Sequence, residues 1–132
     1  MSNYTLTEAE LSFIRKSYDD CSAFITICGG SQGPVQAGLF AGKTATGPLP
    51  FMEKLKVTVP DTKWVEKRWH RDGKLWTSAT LLNGLDLMRA FGEYFFDGDR
   101  EGSLMYKMLE MGAYPRRDVF FRDVLKQPSS EN

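Results

Sequence analysis

The sequence predicts a small α/β domain: a mostly parallel sheet covered by helices, with a β-hairpin at one edge. Three observations carry this. Phe24-Ile25-Thr26-Ile27-Cys28-Gly29-Gly30 reads as a buried strand that turns sharply at a cysteine. Arg71-Asp72-Gly73 places a D-G turn signal between two runs rich in β-formers. Leu82, Leu85, Met88, Phe91 and Phe95 recur at helical spacing in the longest periodic stretch.

In chain order, Thr7-Glu8-Ala9-Glu10 has the T-x-x-E form of a capping box, and Leu11, Ile14 and Tyr18 continue one apolar face. A helix is expected from about Thr7 to Asp19, then a strand from Ala23 to Ile27. Gly29 and Gly30 break the strand, and a second helix is expected from about Pro34 to Phe40, ending near Gly42. Lys43 to Thr46 reads as a short strand, and Phe51 to Val57 as a helical turn or two before Pro60. Lys63 to His70 alternates aromatic and charged residues, which makes it the first hairpin arm; Lys74 to Ala79 is the second. Leu81 to Phe96 is the longest helix, followed by one more from about Ser103 to Met111. Strand, helix, strand, hairpin and helix in this order describe part of a parallel sheet. So narrow a sheet leaves an edge open, which a covering segment or self-association would have to close.

The bulk numbers narrow the functional classes. With 132 residues the chain fits one domain, expected over residues 1–126, with a polar tail over 127–132. Lys plus Arg and Asp plus Glu are 17 each, so net charge gives no argument for nucleic acid or an anionic membrane as partner. The apolar runs are far shorter than the ~20 residues that span a bilayer, and no secretion signal opens the chain. Cys21 and Cys28 are separated by roughly 20 Å of extended chain at ~3.3 Å per residue, too far for a disulfide. Two free thiols point to a reducing, cytoplasmic setting. Without a Cys/His cluster, a P-loop or a G-x-G-x-x-G run, no metal or nucleotide cofactor is expected.

A set of short runs then adds to this reading. They are Phe13-Ile14-Arg15-Lys16, Thr26-Ile27-Cys28-Gly29-Gly30, Ala37-Gly38-Leu39 and Gly42-Lys43-Thr44-Ala45-Thr46, continued by Arg68-Trp69 and Asp72-Gly73-Lys74-Leu75-Trp76-Thr77-Ser78. Gly84-Leu85-Asp86-Leu87 and Tyr114-Pro115 follow in the same order. Together they resemble the C-terminal half of fungal members of the DJ-1/PfpI family, in the class I glutamine amidotransferase-like superfamily. The resemblance implies a truncated, flavodoxin-like three-layer sandwich without its first half. That half supplies the acidic residue beside the cysteine and a glycine-rich loop of the anion pocket. It also implies that several pocket positions are altered, among them Cys28-Gly29-Gly30, Ala45-Thr46-Gly47-Pro48-Leu49 and Leu82-Asn83-Gly84-Leu85-Asp86.

Cys28 is the candidate nucleophile. At a strand's carboxyl end and before a helix, its sulfur would meet the positive end of the helix dipole, which favours thiolate. The Gly29 N–H would stand where elbow-type hydrolases place an oxyanion donor, and Gly30 would complete the turn. Against this, Cys28 equally reads as a small buried hydrophobe. His70, the one histidine, is expected near the far end of the hairpin, about six residues or ~20 Å from the sulfur, well beyond a hydrogen bond of ~3 Å. Gly29, Gly30, Thr46, Ser78, Thr80 and Asn83 are the candidate substrate-binding groups, and Asp86 the candidate acid or base. Asn83 and Thr80 can also cap the long helix, and Asp86 can also serve its dipole.

Three functions fit these residues. The preferred one is a divergent, cofactor-independent enzyme of lyase, isomerase or cyclase type, such as a pericyclic or rearrangement step in natural-product biosynthesis. It would act on a small, apolar substrate in a pocket near Cys28, in a homodimer. The second is the cysteine-dependent hydrolase, hydratase or glyoxalase that the resemblance implies. The third is a non-catalytic dimerising or binding domain.

Overall fold

A computed structural model describes residues 4–124; the polar tail expected over 127–132 lies outside the described residues. Helix α1 spans Glu8–Asp20 and starts at the capping box read from the sequence. The Glu10 N–H donates to Thr7 Oγ1 at 3.4 Å, and the Thr7 N–H donates to the Glu10 carboxylate at 2.7 Å. Strand β1 is Phe24–Ile27, followed by a 3-10 turn over Cys28–Ser31 and a short α2 over Gln32–Gln36. Then come β2 (Thr44–Ala45), α3 (Met52–Thr58), β3 (Lys63–Trp64), β4 (Trp69–Asp72) and β5 (Leu75–Ser78). Helices α4 (Asn83–Phe95) and α5 (Leu104–Met111) complete the order.

Strand β5 is the centre of a three-stranded sheet, parallel to β1 on one side and antiparallel to β4 on the other. All four of its residues are buried, because both faces of a central strand are covered. The hairpin loop is Gly73-Lys74, with Asp72 opposite Leu75; Gly73 takes φ +60, as a II′ turn requires of its first loop residue.

The first hairpin arm is shorter than the sequence predicts. Only Trp69–Asp72 pairs with β5. Lys63-Trp64 instead pairs in parallel with Thr44-Ala45 in a separate two-stranded sheet. An alternating run specifies a strand but not its partner, and two partners compete for this one. The Lys63 N–H bonds to the Lys43 carbonyl and the Val65 N–H to the Ala45 carbonyl, each at 2.9 Å.

The two faces of the main sheet bury different things. Trp76 faces α4, with ring contacts to Phe91 at 5.6 Å and Tyr94 at 5.9 Å between centroids. On the other face Leu75 joins the buried cluster of Phe40, Ala45, Met52, Leu55 and Trp64. Side chains tie the two sheets together there: the Thr44 N–H donates to the Asp72 carboxylate at 2.7 Å and the Thr46 N–H to Thr77 Oγ1 at 2.9 Å.

Beyond α5 the chain crosses back over the hairpin. The Arg68 N–H, just before β4, donates to the Val119 carbonyl at 2.7 Å. The Arg68 guanidinium is almost fully buried and bonds to Asp123 at 2.7 Å and to the Asp118 carbonyl. This strap covers the chain at Arg68, just ahead of β4. The fold is thus a mixed α/β arrangement of five helices and two small sheets, flavodoxin-like in type.

Candidate active site at the Cys28 elbow

Strand β1 ends at Ile27, and the chain turns on Cys28 itself, at φ +54. A side chain in this left-handed region costs about 1–2 kcal/mol, so an L-residue persists there only where its surroundings hold it. Ser31 is one such constraint: it is buried and its hydroxyl donates to the Cys28 carbonyl at 3.1 Å. Gly29 and Gly30 are exposed, with open space where a Cβ would point, and Cys28 is half-buried.

The helix after the elbow differs from the expected one. A 3-10 turn over Cys28–Ser31 leads into α2, which stops at Gln36, whereas the sequence reading placed the helix over 34–40. A 3-10 turn plus five α-helical residues sums fewer aligned peptide dipoles than a full helix does.

On the other side of the elbow lies the β5–α4 turn. Ser78 is the register partner of Ile27. Gly84 packs so closely on Ile27 that a Cβ there would stand 3.0 Å from Ile27 Cγ2. Thr80 donates from its backbone N–H and its hydroxyl to Asn83 Oδ1, at 3.1 and 2.7 Å, and Asn83 Nδ2 donates to Asp86 at 3.2 Å. Ser78, Thr80 and Asn83 therefore gather beside the end of β1. Thr46 stands apart from them, on the face away from α4, and its hydroxyl donates to the Lys67 carbonyl at 2.9 Å. Both its polar groups serve the joint between the two sheets.

Asp86 ends the polar chain in an ion pair. Arg117 donates Nε to one carboxylate oxygen at 3.0 Å and Nη2 to the other at 2.6 Å, and the Tyr114 hydroxyl adds a third donor at 3.2 Å. Burial pushes the Asp86 carboxyl up, but hydrogen bonds from Arg117 and Asn83 outweigh it and hold the group below its ordinary value. A carboxylate so held is an ionised anchor rather than a proton donor or acceptor. Sequence reasoning missed Arg117; the one local sign of it is the Arg116-Arg117 pair directly after Tyr114-Pro115.

His70 is nearer the elbow than expected but still out of reach. It pairs with Thr77, which pairs with Thr26, two residues before Cys28. Two strand spacings of ~4.8 Å and two residues of ~3.3 Å put its Cα roughly 12 Å from that of Cys28, against the ~20 Å expected and a hydrogen bond of ~3 Å. The correction comes from the register: His70 lies within edge strand β4, opposite Thr77, and not beside the turn. Burial, then the charge of Lys67, holds its pKa below the ordinary imidazole value.

Cys28 lines none of three cavities that open among the described residues. One of about 270 Å³ lies between α4 and the strap; Glu93 pairs there with both Arg89 and Arg116, Asp86 pairs with Arg117, and Asp118 balances the lining's charge. A larger one, of about 390 Å³, opens at the hairpin beside Trp69 and Trp76.

Fold and elbow together define an α/β protein with a cysteine at a strand-to-helix turn. The DJ-1/PfpI family profile matches residues 2–93, and the chain belongs to that family. Among solved structures, it is similar to Drosophila melanogaster DJ-1beta, with a TM-score of 0.60 and 18% identity, covering 78% of this chain and 52% of that one. It is also similar to a two-domain protein of Anabaena variabilis with DJ-1/ThiJ/PfpI-like and ferritin-like domains, with a TM-score of 0.55 and 19% identity. That match covers 64% of this chain and 24% of the other. The chain thus spans about half of the fly protein and a quarter of the cyanobacterial one. No curated protein sequence matches it. No helix among the described residues is long and apolar enough to cross a membrane.

Proposed function

We propose that the chain is a small-molecule enzyme whose chemistry centres on the Cys28 thiol, as in the cysteine-dependent reading of its family. One observation carries this: Cys28, half-buried, occupies φ +54, a conformation glycine would take without strain, at the end of β1. Ser78, Thr80 and Asn83, beside the end of β1, would orient a substrate, and the backbone N–H groups of Gly29 and Gly30 would polarise it.

A second reading is favoured by a different observation. The Asp86 carboxylate is held by Arg117, and His70 is roughly 12 Å from the elbow by strand geometry, so neither is placed as an acid–base partner for nucleophilic turnover by Cys28. A cofactor-independent lyase, isomerase or cyclase reaction, such as a step of natural-product biosynthesis, needs positioning more than a nucleophile. The free thiols fit a cytoplasmic setting, and pairing of two copies fits the β1 edge, which is bonded to β5 alone among the described strands.

Alkylation kinetics separate the readings. Wild type and Cys28→Ser are treated with iodoacetamide across pH, and the modified residue is located by mass spectrometry. The nucleophilic reading expects Cys28 to react faster than Cys21 at neutral pH. Equal or slower reaction at Cys28 moves the assignment to the cofactor-independent reading.

A further inference from the structure

The cavity of about 390 Å³ at the hairpin differs in kind from the ion-paired one beside it. Its charged and titratable lining is Lys67, His70 and Arg71, with no carboxylate; its walls are Trp69, Trp76 and Tyr94. Arg71 is fixed in place: its guanidinium carbon lies 3.8 Å from the Tyr94 ring centroid and 5.1 Å from that of Trp76, and its Nε donates to the Gly73 carbonyl at 2.8 Å. Among the described residues no carboxylate pairs with Arg71 or with Lys67, whose ammonium sits 5.0 Å over the Phe120 ring. The indole N–H of Trp76 is also without a hydrogen-bond acceptor, although the residue is 1% exposed. Buried donors of this kind are rarely left unsatisfied.

From this lining we infer that the hairpin cavity binds a planar organic anion, an aromatic carboxylate being the simplest case. Trp69, half-buried and stacked on Trp76 at 5.8 Å with 21° between their planes, offers flat apolar surface for a ring, and Lys67 and Arg71 meet the negative charge. The His70 imidazole has no hydrogen-bond partner among the described residues; burial, then the charges of Lys67 and, more weakly, Lys63, hold its pKa below the ordinary value against Asp72, which raises it. An anion beside it reverses the second of these influences, so its pKa rises on binding. The site is independent of the elbow, and its occupancy does not depend on Cys28.

His70 is the chain's one histidine, so its imidazole proton signals are unambiguous by NMR. The protein is titrated with 2-naphthoate, with 2-naphthamide as the neutral analogue and inorganic phosphate as the non-aromatic anion. The expected result is a shift of the His70 signals by naphthoate, a higher His70 titration midpoint, and quenching of tryptophan fluorescence over the same concentration range. Loss of a charge-assisted contact costs at least about tenfold in affinity, expected in Lys67→Gln and in Arg71→Gln but not in Cys28→Ser. If either variant fails to fold, the wild-type comparison of the three probes decides by itself. Equal binding of the amide overturns the anionic class, tighter binding of phosphate overturns the aromatic one, and unmoved His70 signals at millimolar naphthoate overturn the site.

Discussion

Arg117 holds both carboxylate oxygens of Asp86, across 31 residues of sequence, at 3.0 and 2.6 Å. The pair joins the first turn of α4 to the strap that covers the hairpin. It is also the reason a residue with the look of a candidate acid or base serves as an anchor.

Arg117→Ala leaves a buried carboxylate with only Asn83 and Tyr114 as donors, and is expected to cost about 2–4 kcal/mol in urea unfolding. The pH dependence has a definite sign. The folded-state pKa of Asp86 lies below its ordinary value of 3.8, so its stabilisation is fully present above that value and is lost as pH falls through the folded one. The stability gap between wild type and Asp86→Asn should stay constant from pH 5 to 8 and shrink only in more acid solution. A gap that shrinks between pH 7 and 5 would mean a raised pKa, and would return Asp86 to the list of acid–base residues.

Gly84 tests how α4 meets the elbow. In Gly84→Ala the new Cβ would lie 3.0 to 3.5 Å from three Ile27 side-chain carbons. Overpacking of about 1–3 kcal/mol competes with ~1 kcal/mol of improved helix propensity, and destabilisation is the expected balance. Because the clash is with Ile27 alone, the double variant Gly84→Ala/Ile27→Ala should be more stable than the sum of the single changes. Additive losses in a denaturation series would rule out this contact.

Backbone strain at Cys28 can be measured without reference to any reaction. Cys28→Ala and Cys28→Gly both delete the thiol, but only glycine occupies φ +54 without strain. Cys28→Gly should therefore be more stable than Cys28→Ala by about 1 kcal/mol, read from urea midpoints. Equal stabilities would mean that the elbow relaxes out of the left-handed region.

Arg68 and Asp123 should show the asymmetry of a buried charge with an exposed partner. Asp123→Ala leaves the guanidinium of Arg68, 2% exposed, with the Asp118 carbonyl, while Arg68→Met removes the charge as well as the pair. The expected order of melting temperature is wild type, then Arg68→Met, then Asp123→Ala. Hydrogen exchange at the Arg68 amide, which bonds to Val119, should speed up in Asp123→Ala as the strap loosens.

Much of the local architecture was legible in the residues themselves. Thr7 and Glu10 cap α1 as read, Asp72-Gly73 opens the hairpin loop, and the run from Phe24 to Ile27 is a strand that turns at Cys28. These signals act over a few residues, through hydrogen bonds and dihedral preferences that need no distant partner. The resemblance to the DJ-1/PfpI family rests on runs of the same local kind.

The tertiary structure decided what required a choice among distant partners. Lys63-Trp64 was marked as a strand by its alternation, but only packing paired it with Thr44-Ala45 instead of β5. Asp86 had 17 basic residues to choose among, and only the path of the strap brought Arg117 to it. The hairpin cavity has the same origin: Lys67, Arg71, Trp76 and Tyr94 converge because β4, β5 and α4 meet there. The energy of such contacts depends on distance and burial in the folded chain, and spacing along the sequence does not encode either.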